Sequence, residues 1–272
     1  QQIAAYFEDG KKVTKLDKEF YSTKDYTNRI LNYIKNKPQD DKPFFAYLAY
    51  TAPHWPLQVP DAWIDRYKGT YDKGWEEIRK QRFEKQKSFG LLNSDVQLTP
   101  LNRAVKSWDS LPTFQKQTET KRAELHAAMI ELMDLHIGRL IEFLTDNIDR
   151  ETIVIFVSDN GAEGNDIGAV GDNKYWIPAT FDNRIENMGK RDSYVWLGAG
   201  WAHAMVSPFR NYKSYTTEGG IKTPAIFYST KNRFNNGIKN SVMSVMDIAP
   251  TILDIVDLKH PHVSEKELIP MT

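Results

Sequence analysis

Apolar side chains recur at helical spacing in two stretches of the chain and form short unbroken runs in three others. Between Ser22 and Lys37, Tyr26, Ile30, Tyr33 and Ile34 fall on one helical face, with Ser22 or Thr23 available as a cap. Between Thr118 and Asn147, Leu125, Met129, Leu132, His136, Leu140 and Leu144 recur every three or four residues, which predicts a long helix. Pro43–Tyr50, Thr152–Val157 and Pro224–Tyr228 are short runs rich in aromatic or β-branched residues, a pattern suited to strands covered on both faces. A further helix is expected over Met246–Val256, where Asp247 can cap and Pro250 can sit in the first turn. Helices alternating with buried strands predict an α/β fold, a largely parallel (mixed) sheet sandwiched by helices.

Two long stretches, Thr51–Pro112 and Gly161–Thr223, lack this periodicity. The first contains a charged segment, Trp75–Lys87, which reads as a solvated surface helix. The second is rich in Gly, Asn, Trp and Tyr. Structureless loops longer than about 15 residues are functional or disordered in compact domains, and the aromatic content of this one (Tyr175, Trp176, Tyr194, Trp196, Trp201) disfavours disorder.

Composition narrows the chemistry. The 272 residues carry 36 basic and 36 acidic side chains, and this balance argues against a nucleic-acid partner. There is no cysteine, so disulfide frameworks, zinc ribbons, thiol nucleophiles and iron–sulfur sites are excluded. No apolar run approaches the roughly 18 residues of a membrane span. The first residues, Gln1 to Glu8, lack the features of a signal peptide and no initiator methionine is present, so the chain reads as cut from a longer one. Its oligomeric state is not legible.

Three polar motifs sit where an α/β sheet binds its ligands, at the ends of the apolar runs. Val157-Ser158-Asp159-Asn160-Gly161 follows the second run, and Asp159 and Asn160 offer a carboxylate and an amide oxygen, hard donors suited to Ca²⁺ or Mg²⁺. Taken alone the tripeptide reads more readily as a polar turn, and its place after a buried run brings the two readings level. Thr51-Ala52-Pro53-His54-Trp55-Pro56 follows the first run, and its prolines restrict the backbone around an imidazole able to donate a proton or bind an anion. Pro208-Phe209-Arg210-Asn211-Tyr212-Lys213 leads through Glu218-Gly219-Gly220 into the third run, and Lys213 can meet a sulfate or phosphate oxygen as a point charge. Together these groups suit a divalent cation and an anionic ester. Trp55, Trp196 and Trp201 can stack on an aryl or sugar group or simply pack on the sheet. His203 is a candidate for the pocket wall, His136 reads as a core residue and His126 as a surface one.

His54 in A-P-H-W-P-L-Q-V-P, Asp159 and Asn160 in V-S-D-N-G-A-E-G, Lys213 in P-F-R-N-Y-K-S-Y-T-T-E-G-G-I-K-T-P and the D-I-A-P-T-I-L-D helix together resemble the arylsulfatases of the alkaline-phosphatase superfamily, in particular the bacterial branch through S-Y-V-W-L-G-A-G-W-A. The resemblance covers essentially the whole chain. It implies that Asp159 and Asn160 are a pair of Ca²⁺ ligands, that Lys213 contacts sulfate and the leaving group, and that His54 lies near the leaving-group oxygen. Trp55 and His203 join His54 and Lys213 as expected substrate contacts. It also implies sulfate-ester hydrolysis through a formylglycine made from Cys or Ser in C/S-x-P-x-R. The chain departs from that motif, since its nearest stretch, Ser110-Leu111-Pro112-Thr113-Phe114, has Phe114 where arginine belongs. The expectation is therefore the central part of a sulfatase catalytic domain, residues 1–272, without the nucleophile segment or C-terminal subdomain, and inactive alone. Its substrate would be a sulfate-ester small molecule or sulfated glycan. A phosphatase or phosphonate monoester hydrolase of the same superfamily and a non-catalytic module for sulfated ligands are the alternatives. A periplasmic or secreted location is expected, with a cytoplasmic one left open.

Overall fold

The structure, a computed structural model, describes residues 5–37, 40 and 42–259. It divides into two units, residues 1–234 and 235–272. The first opens with a small hairpin, β1 (Phe7–Glu8) and β2 (Lys11–Lys12), paired antiparallel. Its two-residue turn, Asp9-Gly10, has φ of 49° and 76°, the left-handed pair that an Asp-Gly turn favours. α1 (Ser22–Lys35) follows, its backbone turning in at Tyr21. It packs against α3 (Thr113–Asn147), a helix of 35 residues that extends the expected one by five positions at its start. Pro112 precedes α3, where a missing N–H costs nothing. Ser110 therefore belongs to the turn leading into α3, with its hydroxyl donated to the Ser107 carbonyl at 2.6 Å.

The sheet differs from expectation. β3 (Ile153–Val157) and β4 (Ala225–Ser229) form where the apolar runs predict, but they pair with each other and antiparallel, Ile153 opposite Ser229 and Val157 opposite Ala225. Among the described residues there is no parallel pair. An unbroken apolar run reports burial on two faces and carries no information about direction, which the long connection decides. Among the described residues Pro43–Tyr50 joins no ladder, and Phe45 and Tyr47 are largely exposed. A strand exists only through a neighbour that accepts and donates its backbone hydrogen bonds.

The core is built instead from the two stretches that lack periodicity. They run beside each other: the Leu57 N–H donates to the Val195 carbonyl at 2.8 Å and that of Val59 to Gly189 at 3.0 Å. The charged segment is α2 (Gly74–Ser88), with Glu76 and Glu77 in its first turn and Lys85 and Lys87 in its last, as the helix dipole favours. It is not merely a solvated helix. Trp75, Ile78, Arg79 and Phe83 are buried, and α2 packs on α5 (Ala199–Met205). Trp75, Trp108 and Trp201 meet edge to face, with ring centroids 4.9–5.8 Å apart. The Trp201 indole N–H donates to the Glu119 carbonyl of α3 at 2.8 Å, so the knot is fastened to the long helix. α4 (Asn173–Thr180) and α6 (Glu218–Ile221) complete this unit.

The second unit contains α7 (Ile248–Ile255), preceded by a 3₁₀ turn over Val245–Asp247. The cap expected at Asp247 lies at Ser244, which accepts from the Met246 N–H while Asp247 accepts from the Ser244 N–H. His260, His262 and Leu268–Thr272 lie outside the described residues.

Candidate active site

The strand-end motifs meet through their backbones. At the end of β3 the Gly161 N–H donates to the Gly220 carbonyl at 2.9 Å, and the Thr223 hydroxyl donates to the Ser158 carbonyl at 2.8 Å. Gly161 is required by close approach: a Cβ there would lie 1.8 Å from the Gly219 carbonyl oxygen. Next along the chain, the Lys213 N–H donates to the Ala162 carbonyl at 3.0 Å. The loop carrying Lys213 is thereby stitched to the loop that leaves Asp159 and Asn160.

Asp159 is exposed and Asn160 half-buried at this turn. The Ser158 hydroxyl donates to the Asn160 carbonyl at 3.0 Å and tightens the bend. Among the described residues no partner hydrogen-bonds either the Asp159 carboxylate or the Asn160 side-chain amide, so their oxygens are uncommitted. Two hard oxygens fit part of a Ca²⁺ shell of about six to eight. Among the described residues no group of three carboxylate or imidazole ligands surrounds them.

His54 and Lys213, expected from separate motifs, come together. The Lys213 ammonium donates to His54 Nε2 at 3.1 Å. His54 Nδ1 lies 3.0 Å from the Trp55 carbonyl oxygen, which can only accept, so the proton of the neutral ring belongs on Nδ1 and Nε2 is free to accept. A third group, which motif reasoning leaves unassigned, completes the cluster. Glu163 places Oε2 3.1 Å from Lys213 Nζ and 3.9 Å from His54 Nε2. Its only sequence signal is its place in the quoted D-N-G-A-E-G motif.

Trp55 is half-buried and begins an aromatic row. His54 and Trp55 ring centroids lie 4.5 Å apart, Trp55 and Tyr194 5.6 Å, and Tyr194 also meets Trp176 at 5.5 Å and Phe181 at 4.9 Å. Phe181 also lines a cavity of about 530 Å³ whose polar groups come from Asp166, Lys174, Asp182, Asn183 and Arg184 and one wall from Trp196. The Arg122 guanidinium sits 4.6 Å from the Trp196 ring centre. Trp201 is fully buried in the knot, packing rather than facing a ligand.

His203 is placed differently from the expected pocket wall. It is fully buried on α5, its Nε2 accepts from the Asn102 N–H at 3.3 Å, and its ring meets Tyr212 edge to face. Burial, helped by the Arg79 charge, holds its pKa down to about 4. His136 is buried as expected, and burial followed by Arg139 and Lys24 lowers its pKa. His126, expected on the surface, is buried as well, its Nδ1 has no partner among the described residues, and burial with Arg82 lowers its pKa to about 4.

Arg79 supports the site from behind. Buried on α2, it donates to the carbonyls of His203 at 3.2 Å, Pro208 at 3.3 Å and Phe209 at 3.2 Å, and to the Thr99 hydroxyl at 2.8 Å. Pro208 and Phe209 begin the loop that carries Lys213. Burial lowers the pKa of this guanidinium, and the carbonyl fork compensates the lost hydration.

The family model described as Sulfatase matches residues 2–258. The chain is 41% identical over 248 residues to an uncharacterized sulfatase of Schizosaccharomyces pombe, covering 90% of this chain and 44% of that protein. It is 35% identical over 270 residues to an arylsulfatase of Klebsiella aerogenes, covering 98% of this chain and 57% of that protein. The chain thus spans about half the length of these curated relatives. Among solved structures it is similar in fold to Ps i-CgsB in complex with k-i-k-neocarrahexaose, with a TM-score of 0.50 and 20% identity over 94% of this chain and 37% of that one. The family match across nearly all residues, in a chain whose strand-end motifs converge as described, establishes that it belongs to the sulfatase family of the alkaline-phosphatase superfamily.

Proposed function

We propose that this chain is the central segment of a sulfate ester hydrolase and supplies its leaving-group side. The observation that carries this reading is the Lys213–His54 contact beside the strand end that bears Asp159 and Asn160. A sulfate ester leaves as an alkoxide or phenoxide, so cleavage needs positive charge and a proton near the bridging oxygen. Lys213 Nζ offers both. His54, held in one tautomer by the Trp55 carbonyl, keeps its Nε2 as an acceptor for the ammonium and limits where the lysine can point.

Asp159 and Asn160 would hold a Ca²⁺ ion, completed by donors beyond this pair, and that ion would draw charge from the sulfate oxygens as a Lewis acid. For formylglycine the residues present do not fit: the chain has no cysteine, and Ser110 lies in a turn before α3 without the motif's arginine. No step is assigned through that group. The aromatic row from Trp55 to Phe181 and the adjoining cavity offer an apolar face for an aryl or sugar leaving group.

The test uses the full-length protein that contains this chain, given an aryl sulfate, an aryl phosphate and a sulfated oligosaccharide. Sulfate release far above phosphate release is expected, with Lys213→Met lowering kcat by about 10²–10³-fold. Phosphate release dominating would assign the protein to the phosphatase branch instead, and no hydrolysis with retained binding would make it a sulfated-ligand module. Calorimetric titration with Ca²⁺ checks the metal reading independently: Asp159→Ala should abolish binding, and unchanged binding would overturn the assignment.

A further inference from the structure

Glu163 is a carboxylate placed beside a site for an anionic ester, where it would repel the substrate unless it served the Lys213 ammonium. Three features indicate such service. The first is its own anchoring: Oε1 accepts from the Asn165 N–H at 2.8 Å and from Asn165 Nδ2 at 2.6 Å, which leaves Oε2 turned toward Lys213 and His54. Its side chain is only 12% exposed against 28% for Lys213, so the carboxylate stands behind the ammonium.

The second feature is the geometry of the lysine. An ammonium has three N–H bonds; His54 takes one, and the ion pair with Glu163 Oε2 at 3.1 Å draws the positive head toward the carboxylate, which limits the directions left to the others. Without Glu163 the ammonium could rotate among several arrangements, and a donor that must meet one bridging oxygen loses effectiveness when it samples others. The third feature is the backbone on either side. Asn211 and Ser214 hold φ of 60° and 76°, a left-handed region that asparagine tolerates and serine seldom adopts without contacts that hold it there. The enforcing contacts include Asn165 itself, whose Nδ2 lies 3.3 Å from Ser214 Oγ, and Asn102, whose Nδ2 donates to Asn211 Oδ1 at 3.2 Å.

We infer that Glu163 is a positioning residue of the site, holding the Lys213 ammonium by its charge so that, with His54 as the hydrogen-bond partner, a free N–H is presented to the ester. The inference rests on the ester-cleaving reading given above. A glutamine at 163 separates charge from volume. Because Asn165 presents two donors to one carboxylate oxygen, the amide oxygen of Gln would stay with Asn165 and its NH₂ would face the ammonium, donor against donor.

The experiment is a double-mutant cycle on aryl sulfate turnover in the full-length protein, with Glu163→Gln, Lys213→Met and their combination. Glu163→Gln should lower kcat about 10–100-fold with KM changed less than about threefold, since positioning acts in the transition state. In the Lys213→Met background it should change kcat less than about twofold. An equal loss in both backgrounds, or no loss with Lys213 present, would overturn the inference. A second readout does not depend on the reaction. The ¹⁵N chemical shift of His54 Nε2 in mildly alkaline buffer reports the hydrogen bond from Lys213, and Glu163→Gln should shift it as Lys213→Met does. A shift that moves with Lys213→Met and stays fixed with Glu163→Gln would also overturn it. If the unsubstituted protein cleaves no sulfate ester, the functional reading fails while this second measurement still decides the role of Glu163.

Discussion

Ile226 on β4 and Trp201 on α5 occupy opposite situations: Ile226 is 57% exposed and Trp201 is 0% exposed. The contrast extends to their surroundings. Val157, Ile226 and Tyr228 line a two-stranded sheet whose apolar side chains no described residue fully covers, as is true of Phe45 and Tyr47 in the unpaired Pro43–Tyr50 segment. Trp75, Trp108 and Trp201 come from stretches with no secondary-structure period, yet they form the centre of the core with Leu57, Leu125 and Val195. An apolar run states that a segment needs cover, and which segments receive it depends on the neighbours the chain brings.

The largest effect that could break this comparison is at the knot. Trp201→Ala should cost the 272-residue chain about 3–5 kcal/mol in urea unfolding, because it removes a fully packed ring and the hydrogen bond to the Glu119 carbonyl. A loss below about 1 kcal/mol would mean that the loop-built core does not hold the fold. Arg79→Met should cost about 3 kcal/mol, since the carbonyls of His203 and Phe209 would lose this donor while that of Pro208 keeps Thr99. Little change in stability would return α2 to the status of a solvated helix.

Acid sharpens the comparison, because two buried histidines, His126 on α3 and His203 on α5, lie within reach of the charges of Arg82 and Arg79 on α2. His126 and His203 have folded pKa values near 4, pushed down by burial first and by Arg82 and Arg79 respectively. Their unfolded values lie near 6.5. Between about 6.5 and 4 the unfolded chain therefore binds protons that the folded chain refuses. Stability present above the unfolded value is lost as pH falls through that window, by up to about 3 kcal/mol for His126. His126→Gln should flatten this limb in pH-dependent denaturation, and an unchanged limb would place the titration elsewhere. The smallest effect belongs to the sheet: Ile226→Ser should change the stability of the 272-residue chain by no more than about 0.5 kcal/mol. In the longer protein proposed above, a cost of about 2 kcal/mol or more would show that further residues cover this face.

Much of the secondary structure was legible. The bodies of α1 and α3 and the positions of β3 and β4 follow from apolar spacing, while the cap expected at Ser22 or Thr23 is not made: Tyr21 is the N-cap and no side chain bonds there. The strand direction was not, because a run apolar on both faces reads the same in either orientation. The burial of α2 was hidden by its charges: long Lys and Glu side chains reach solvent from a helix whose Trp75, Ile78 and Phe83 point inward. The Asp9-Gly10 hairpin carried a recognisable turn signal, and its two-residue strands are too short to show alternation.

For the site, the residue types at the ends of three apolar runs announced an anion and a cation, and the resemblance they support agrees with the family match. What they could not announce was Glu163. A carboxylate in an aperiodic loop looks like any solvated acid until a lysine 50 positions later is folded onto it. The same holds for His203, whose loop position suggested access and whose packing against Tyr212 and Asn102 removed it. The sequence by itself determined the elements, the family and the chemical groups available, because local spacing and residue type are properties of neighbours along the chain. Only the tertiary structure decided which apolar faces are covered, which way the strands run and which charges meet, because those depend on contacts between segments far apart in sequence.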